Sequence, residues 1–296
     1  MIDFPRILGA DGRPIVRQSL THPAVYLDTW AIRLFAEDNP ALGTRFRDAL
    51  KHAGGTLILS DLNMSEFTFD DPRHTQVAGR YVDTIYPNLF FSHFDPFKVA
   101  ARESEILRGN RIGSPAGDDR LLRIFAEATA QRGLPSVYEW FAQMHTDRVK
   151  LSELRAGMAQ SMLDGLAGLK QRFQTEPEFA KAALRDIRAS TQPRATLALM
   201  RALIYRMRND HKLVLDLNDA IDIQHSIVPT SYGDILMADR AWYVRLTDAA
   251  SFLSRCGITT RIARLFTRRN DGVNQALEMI ESWPSLLEKH SGGQTV

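Results

Sequence analysis

The sequence has almost no cysteine and no long apolar stretch. Cys256 is the only cysteine among the 296 residues, which excludes an intramolecular disulfide and a zinc site built from several cysteines. No segment approaches the roughly 20 consecutive apolar residues of a membrane-spanning helix, and the N-terminal residues lack the apolar core of a signal peptide. From these absences we expect a cytoplasmic protein without a membrane segment.

The sequence also lacks a strong charge of either sign. Its 37 Lys and Arg residues are balanced by 35 Asp and Glu residues, for a formal net charge of +2. A net charge this small does not by itself indicate nucleic-acid binding, so the local distribution of basic residues matters more. The hydrophobic share of 44% is typical of a globular protein, and the length fits either two average domains or one α/β domain enlarged by an insertion.

Short apolar runs alternate with helical patterns in the first third of the chain. Residues 24–27, 56–60 and 89–91 form apolar runs of strand length, and amphipathic stretches separate them. This β-α-β-α-β order predicts a parallel sheet with helices on both faces. We therefore assign residues 1–95 to the first part of an α/β domain.

The middle of the chain has a different pattern from its two ends. Residues 96–212 show almost no strand-like alternation but several helical patterns, which predict a large all-helical insertion. The α/β pattern returns in 213–296, with predicted strands at 234–239 and 261–266, and Pro229, Ser231 and Gly233 are expected to end the helix before the first of them. The expected fold is α/β, with a central parallel sheet of about five strands interrupted by the insertion.

Carboxylates follow three of the predicted strands. Asp28 comes directly after the first strand, Glu66 lies in the first turns of the helix after the second, and Asp239 ends the fourth. Because the carboxyl ends of parallel strands meet at one edge of a sheet, we expect these three acids to converge.

A late helix offers further candidates for the same edge of the sheet. Asp219, Asp222 and His225 are spaced three residues apart, so they share one helix face. Asp234 lies at the start of the fourth predicted strand. Carboxylate oxygens are preferred ligands of Mg²⁺ and Mn²⁺, and a carboxylate cluster that holds such ions is typical of phosphodiester hydrolysis.

Four of these positions resemble the metal-binding acids of the PIN-domain ribonucleases. The resemblance rests on Leu-Asp-Thr at 27–29, Leu-Ser-Asp-Leu-Asn-Met-Ser-Glu-Phe at 59–67, Asp222 on its late helix, and Leu-Met-Ala-Asp at 236–239. It covers roughly the first third of the chain and residues 217–265. It implies a PIN-like fold and a Mg²⁺- or Mn²⁺-dependent endoribonuclease that acts on RNA. The implied metal-binding and catalytic residues are Asp28, Glu66, Asp222 and Asp239.

Each acid also has an ordinary structural interpretation. Asp28 and Asp219 are suited to cap the helices that begin beside them, and Glu66 could be a solvated helix residue. Asp234 could simply begin its strand. Asp219 and Asp234 nevertheless remain candidate metal ligands, because either could join the site or replace a neighbour.

Several polar residues near the acids are candidate substrate contacts. His225 either orients Asp222 or contacts the substrate. The basic residues form either a solvated face or a track for RNA phosphates. The candidates are Thr29, His225, Arg208, Lys212 and Arg240.

Two other functions remain open. A catalytically weak or inactive PIN-like module could bind RNA or protein, and Trp30 and Met237 favour it because the family commonly has small polar residues at these positions. A phosphatase or DNA nuclease could use the same acids. A protein partner or a homo-oligomer is also compatible with the sequence.

Overall fold

The computed structural model describes residues 1–3, 16–68, 71–110, 113–132, 136–188, 195–207, 215–258 and 260–283. Over these residues the strands are β1 (Ile2–Asp3), β2 (Arg17–Gln18), β3 (Ala24–Leu27), β4 (Thr56–Ser60), β5 (Leu89–Ser92), β6 (Ile235–Met237) and β7 (Arg264–Phe266). The α-helices are α1 (Thr29–Arg33), α2 (Pro40–His52), α3 (Asp61–Thr68), α4 (Pro72–Ile85), α5 (Pro96–Leu107), α6 (Asp119–Arg132), α7 (Val137–Thr146), α8 (Arg148–Thr175), α9 (Pro177–Arg188), α10 (Ala195–Met207), α11 (Leu217–Tyr232), α12 (Arg240–Arg255) and α13 (Gly272–Glu281). A π-helix, Leu34–Asp38, follows α1 directly.

A five-stranded parallel sheet organises the molecule. Its strand order is β5-β4-β3-β6-β7, so β3 lies in the centre. Tyr26 of β3 pairs in register with Ile58 of β4 and Leu236 of β6. The predicted α/β class and the parallel sheet of about five strands are therefore confirmed.

The alternation of side chains along β3 divides the interior into two cores. Val25 and Leu27 pack into one core, and Ala24 and Tyr26 pack into the other. All four residues are buried, as expected for a central strand that is covered on both faces.

The helices of the middle segment pack against both of these cores. The described part of 96–212 is helical from α5 to α10, as the periodicity predicts. Phe125 of α6 and Phe141 of α7 belong to the core of Val25, whereas Leu166 of α8 and Leu203 of α10 belong to the core of Tyr26. The helices of the middle segment therefore form part of the hydrophobic core on each face of the sheet. Among the described helices, none has the length and apolar character needed to cross a membrane.

The structure differs from the sequence predictions in three respects. Helix α11 continues through Pro229 to Tyr232 and is capped by Gly233, so the predicted end of this helix is confirmed at Gly233 but not at Pro229. Pro229 lies in the last turn, where the hydroxyls of Thr230 and Ser231 donate hydrogen bonds to carbonyls one turn earlier. Strands β6 and β7 are three residues each, shorter than predicted. The antiparallel pair β1–β2 was not predicted.

Candidate functional site

The three predicted strand-end acids lie at the carboxyl edge of the sheet. Asp28 follows β3 directly and accepts a hydrogen bond from the backbone N–H of Thr29 at 2.7 Å, which caps α1. Asp239 follows β6 and caps α12 by accepting a hydrogen bond from the Trp242 backbone N–H at 2.8 Å. Glu66 lies on α3, which begins immediately after β4. The parallel arrangement thus delivers each carboxylate to the same edge.

Asp28, Glu66 and His225 form the tightest group of possible metal ligands among the described residues. One ligand atom from each lies within 4.8 Å of the others. His225 is buried, while Asp28 and Glu66 are partly exposed. Asp28 follows β3, while Glu66 and His225 lie on α3 and α11, so only the folded chain brings the three residues together.

Both carboxylate oxygens of Glu66 contact protein donors. The hydroxyl of Thr29 donates to Oε2, and the Arg155 guanidinium lies 3.0 Å from Oε1. His225 Nε2 lies 3.2 Å from the same Oε1. Burial raises the pKa of Glu66, but His225, the hydrogen bonds and Arg155 outweigh burial and lower the pKa to about 2. Glu66 is therefore ionised at neutral pH.

His225 connects Glu66 to the central strand. Its Nδ1 lies 2.9 Å from the hydroxyl of Tyr26 on β3. Burial lowers the pKa of His225, but the negative charges of Glu66, Asp28 and Asp222 outweigh burial and raise it above its usual value. The contacts of both ring nitrogens, with Tyr26 and with Glu66, hold the His225 ring in one orientation between the carboxylates.

The surroundings of Asp28 and Asp222 disfavour the ionised form of their carboxylates. Burial raises the pKa of each to about 6, His225 opposes this increase, and the nearby charges of Asp239 and Glu66 add to it. The indole N–H of Trp242 donates a hydrogen bond to Asp222 at 2.6 Å. Strongly perturbed carboxylates in a cleft are typical of functional sites.

The predicted acids share one small pocket with aromatic walls. Asp28, Asp222 and Asp239 line it together with His225, Tyr26 and Trp242. Glu66 adjoins this pocket through its contact with His225. The structure thus brings together Asp28, Glu66, Asp222 and Asp239, the four acids that the resemblance implies.

Asp219 lies one helical turn before Asp222, and its carboxylate has structural partners. It forms a reciprocal capping box with Asp216 at the start of α11. Its carboxylate also makes an ion pair with Arg245 of α12. The N-cap is Asp216 and not Asp219, so the N-cap interpretation of Asp219 is wrong. We leave Asp219 out of the metal site because it does not line the pocket of Asp28, Asp222 and Asp239 and its carboxylate is paired with Arg245.

Asp234 lies at the opposite edge of the sheet. It precedes β6 and accepts a hydrogen bond from the backbone N–H of Ala24, at the start of β3, at 2.7 Å. His22 Nδ1 lies 2.5 Å from its carboxylate, and Arg261 completes the ion pair. As a metal ligand Asp234 is therefore excluded by position, because the other acids lie at the carboxyl ends of the strands.

The structure describes only some of the residues that were predicted to contact the substrate. Thr29 lies in the site but donates its hydroxyl to Glu66. Arg240 follows Asp239 and is exposed at the start of α12. Arg208 and Lys212 lie outside the described residues. Trp30 is half-buried and packs against the core of Val25.

Two site residues, Tyr26 and Arg155, were not predicted from the sequence. Tyr26 stands two residues before Asp28 and therefore on the same face of the strand, a signal that the alternation of β3 already contained. Arg155 comes from α8, 89 residues after Glu66, and no local pattern indicates that it reaches the sheet edge. The packing of α8 against α11 and α3 places it there.

Comparison of the chain with protein-family models, with curated proteins and with solved structures found no match.

Proposed function

We propose that this chain is a divalent-metal-dependent endoribonuclease with a PIN-like α/β domain that carries an all-helical insertion. Asp28, Glu66, Asp222 and Asp239 would hold Mg²⁺ or Mn²⁺. The observation that carries the proposal is the convergence of these four carboxylates, from two strand ends and two helices, at one sheet edge. Close packing of buried carboxylates destabilises the folded protein, and a bound cation would offset this by neutralising their charge.

The donor set fits a hard divalent cation. Carboxylate oxygens are the ligands that Mg²⁺ and Mn²⁺ prefer, and the raised pKa values of Asp28 and Asp222 are what a cation would reverse. When bound, such a cation would activate water and stabilise the charge that develops on a phosphodiester.

The protein's own residues would position this chemistry. Thr29 and His225 hold the Glu66 carboxylate in place, and the Trp242 indole fixes Asp222. His225 is in turn fixed by Tyr26. Arg240 would contact a phosphate on the exposed side of the site, next to Asp239.

RNA cleavage by variants of Asp28 and Asp222 tests the proposal, with a variant of Asp219, on the same helix as Asp222, as the matched control. In Mg²⁺ or Mn²⁺, Asp222→Asn and Asp28→Asn are expected to lower the cleavage rate at least about 100-fold, equivalent to about 2.7 kcal/mol of transition-state stabilisation. Asp219→Asn, one turn from Asp222 but paired with Arg245, is expected to keep the rate close to wild type. Equal rates for wild type and Asp28→Asn would refute the mechanism. Parallel assays with single-stranded DNA, flap DNA and a phosphate monoester separate an RNase from a DNA nuclease or a phosphatase.

A second candidate function is an RNA- or protein-binding module with little or no catalysis. It is favoured by Glu66, whose two oxygens are satisfied by Thr29, Arg155 and His225 without a metal ion. This module would bind RNA but gain no thermal stability from Mn²⁺. Measuring RNA binding and the Mn²⁺-dependent shift in melting temperature together distinguishes the two functions.

A further inference from the structure

Helix α8 extends one arginine into the acidic site. The helix spans 28 residues, and Met162, Leu166 and Phe173 anchor it in the core on the Tyr26 face of the sheet. Arg155 lies one turn before Ala159, and its guanidinium approaches Glu66 at 3.0 Å. Both side chains are 20% exposed, so the pair lies at the wall of the site rather than on the open surface.

Arg155 and a metal ion would compete for the same oxygen. Oε2 of Glu66 accepts the Thr29 hydrogen bond, and Arg155 contacts Oε1. A divalent cation binds a carboxylate oxygen at about 2.0–2.2 Å, which would put it within about 5 Å of a guanidinium held 3.0 Å from that oxygen. Two positive charges at this separation repel strongly in a partly buried site.

We propose that Arg155 is the counter-ion of Glu66 in the metal-free protein and that binding of a divalent cation displaces it. The inference rests on the proposed function, because it assumes that Glu66 is a metal ligand. Arg155 then sets the metal affinity of the site by occupying a ligand until the cation replaces it. The occupancy of the site is thereby coupled to the middle segment of the chain, which supplies α8.

Isothermal titration of the full chain with Mn²⁺ alone tests this inference. Arg155→Met and Arg155→Gln remove the charge, and the glutamine variant retains an N–H donor for Glu66. We expect both to bind Mn²⁺ about tenfold more tightly than wild type. Arg148→Gln is the matched control, because Arg148 is an exposed arginine of the same helix that donates to the His145 carbonyl. It is expected to leave the affinity unchanged.

The outcomes separate the inference from the proposed function. If wild type binds Mn²⁺, Asp28→Asn abolishes binding and neither Arg155 variant binds more tightly, the metal site stands and the role of Arg155 is refuted. If Arg148→Gln tightens binding as much as the Arg155 variants, a general charge effect replaces the specific one and again refutes the inference. If neither wild type nor the Arg155 variants bind Mn²⁺, the proposed function and the inference both fail. Circular dichroism confirms folding of each variant, and the glutamine variant decides the result if the methionine variant does not fold.

Discussion

Single residues of the site combine a structural and a functional role. Asp28 caps α1 through the Thr29 N–H, as its ordinary interpretation predicts, and it also lies in the acidic group with Glu66 and His225. A cap requires only one acceptor oxygen near a helix N-terminus. It does not require burial beside other carboxylates, which raises the pKa of Asp28 to about 6. Capping therefore explains the residue type but not its environment.

Asp28→Asn is expected to stabilise the metal-free protein at neutral pH. Burial raises the folded-state pKa of Asp28 from 3.8 to about 6, so its contribution to stability is full below about pH 4 and is lost as the pH rises through 6. Asparagine cannot ionise, yet its oxygen can still accept the Thr29 hydrogen bond. In EDTA the variant should exceed wild type in free energy of unfolding by about 1–3 kcal/mol at pH 7.5.

Urea denaturation of both proteins at pH 7.5 and pH 4 measures this effect. The stability difference should shrink at pH 4, because Asp28 is then largely protonated in wild type. Asp219→Asn, which loses an ion pair with Arg245 rather than a buried repulsion, should show no gain. A wild type as stable as Asp28→Asn at pH 7.5 in EDTA would contradict the prediction.

At the scale of elements, buried strands and the acids after them were predictable, whereas long-range contacts were not. β3, β4 and β5 are continuous apolar runs, a local signal that survives in a fully buried strand. The two-residue strands β1 and β2 carry no such pattern. The contact of Arg155 with Glu66 depends on how α8 packs, which periodicity does not encode. Hence the acids were found from the sequence but their counter-ion was not.

The contact between α4 and α7 depends on the absence of a side chain at Gly79. A Cβ atom at Gly79 would lie 2.7 Å from the Cα of Tyr138. Gly79→Ala gains helix propensity but forces these two backbones apart, so we expect a net loss of about 1–3 kcal/mol in the free energy of unfolding. Gly157→Ala on α8 is the matched control, because a Cβ there meets nothing within 4 Å.

Thermal or urea denaturation of the two glycine variants gives the comparison. Gly157→Ala should be neutral or more stable than wild type by up to about 1 kcal/mol, since only the propensity gain applies. A Gly79→Ala variant that is as stable as Gly157→Ala would show that α4 and α7 separate without cost.

At the scale of the whole molecule, the sheet couples the two cores. Val25 and Tyr26 are neighbours on β3 but face opposite cores, and helices of the middle segment contribute to both. Loss of either helical layer would expose one apolar face of every central strand to water. The three sequence segments 1–95, 96–212 and 213–296 should therefore not unfold one after another.

We accordingly expect one cooperative unfolding transition, reported equally from both faces. Trp140 packs against Phe91 and Phe125 in one core, and Trp242 is buried in the other. In variants that keep only one of these tryptophans, with the other tryptophans of the chain replaced by phenylalanine, the urea midpoint from fluorescence should coincide with that from circular dichroism. Both variants should show this coincidence, because each probe reports a core that is built on the same strands. Separate midpoints for the two probes would mean that the helices of the middle segment unfold independently of the sheet.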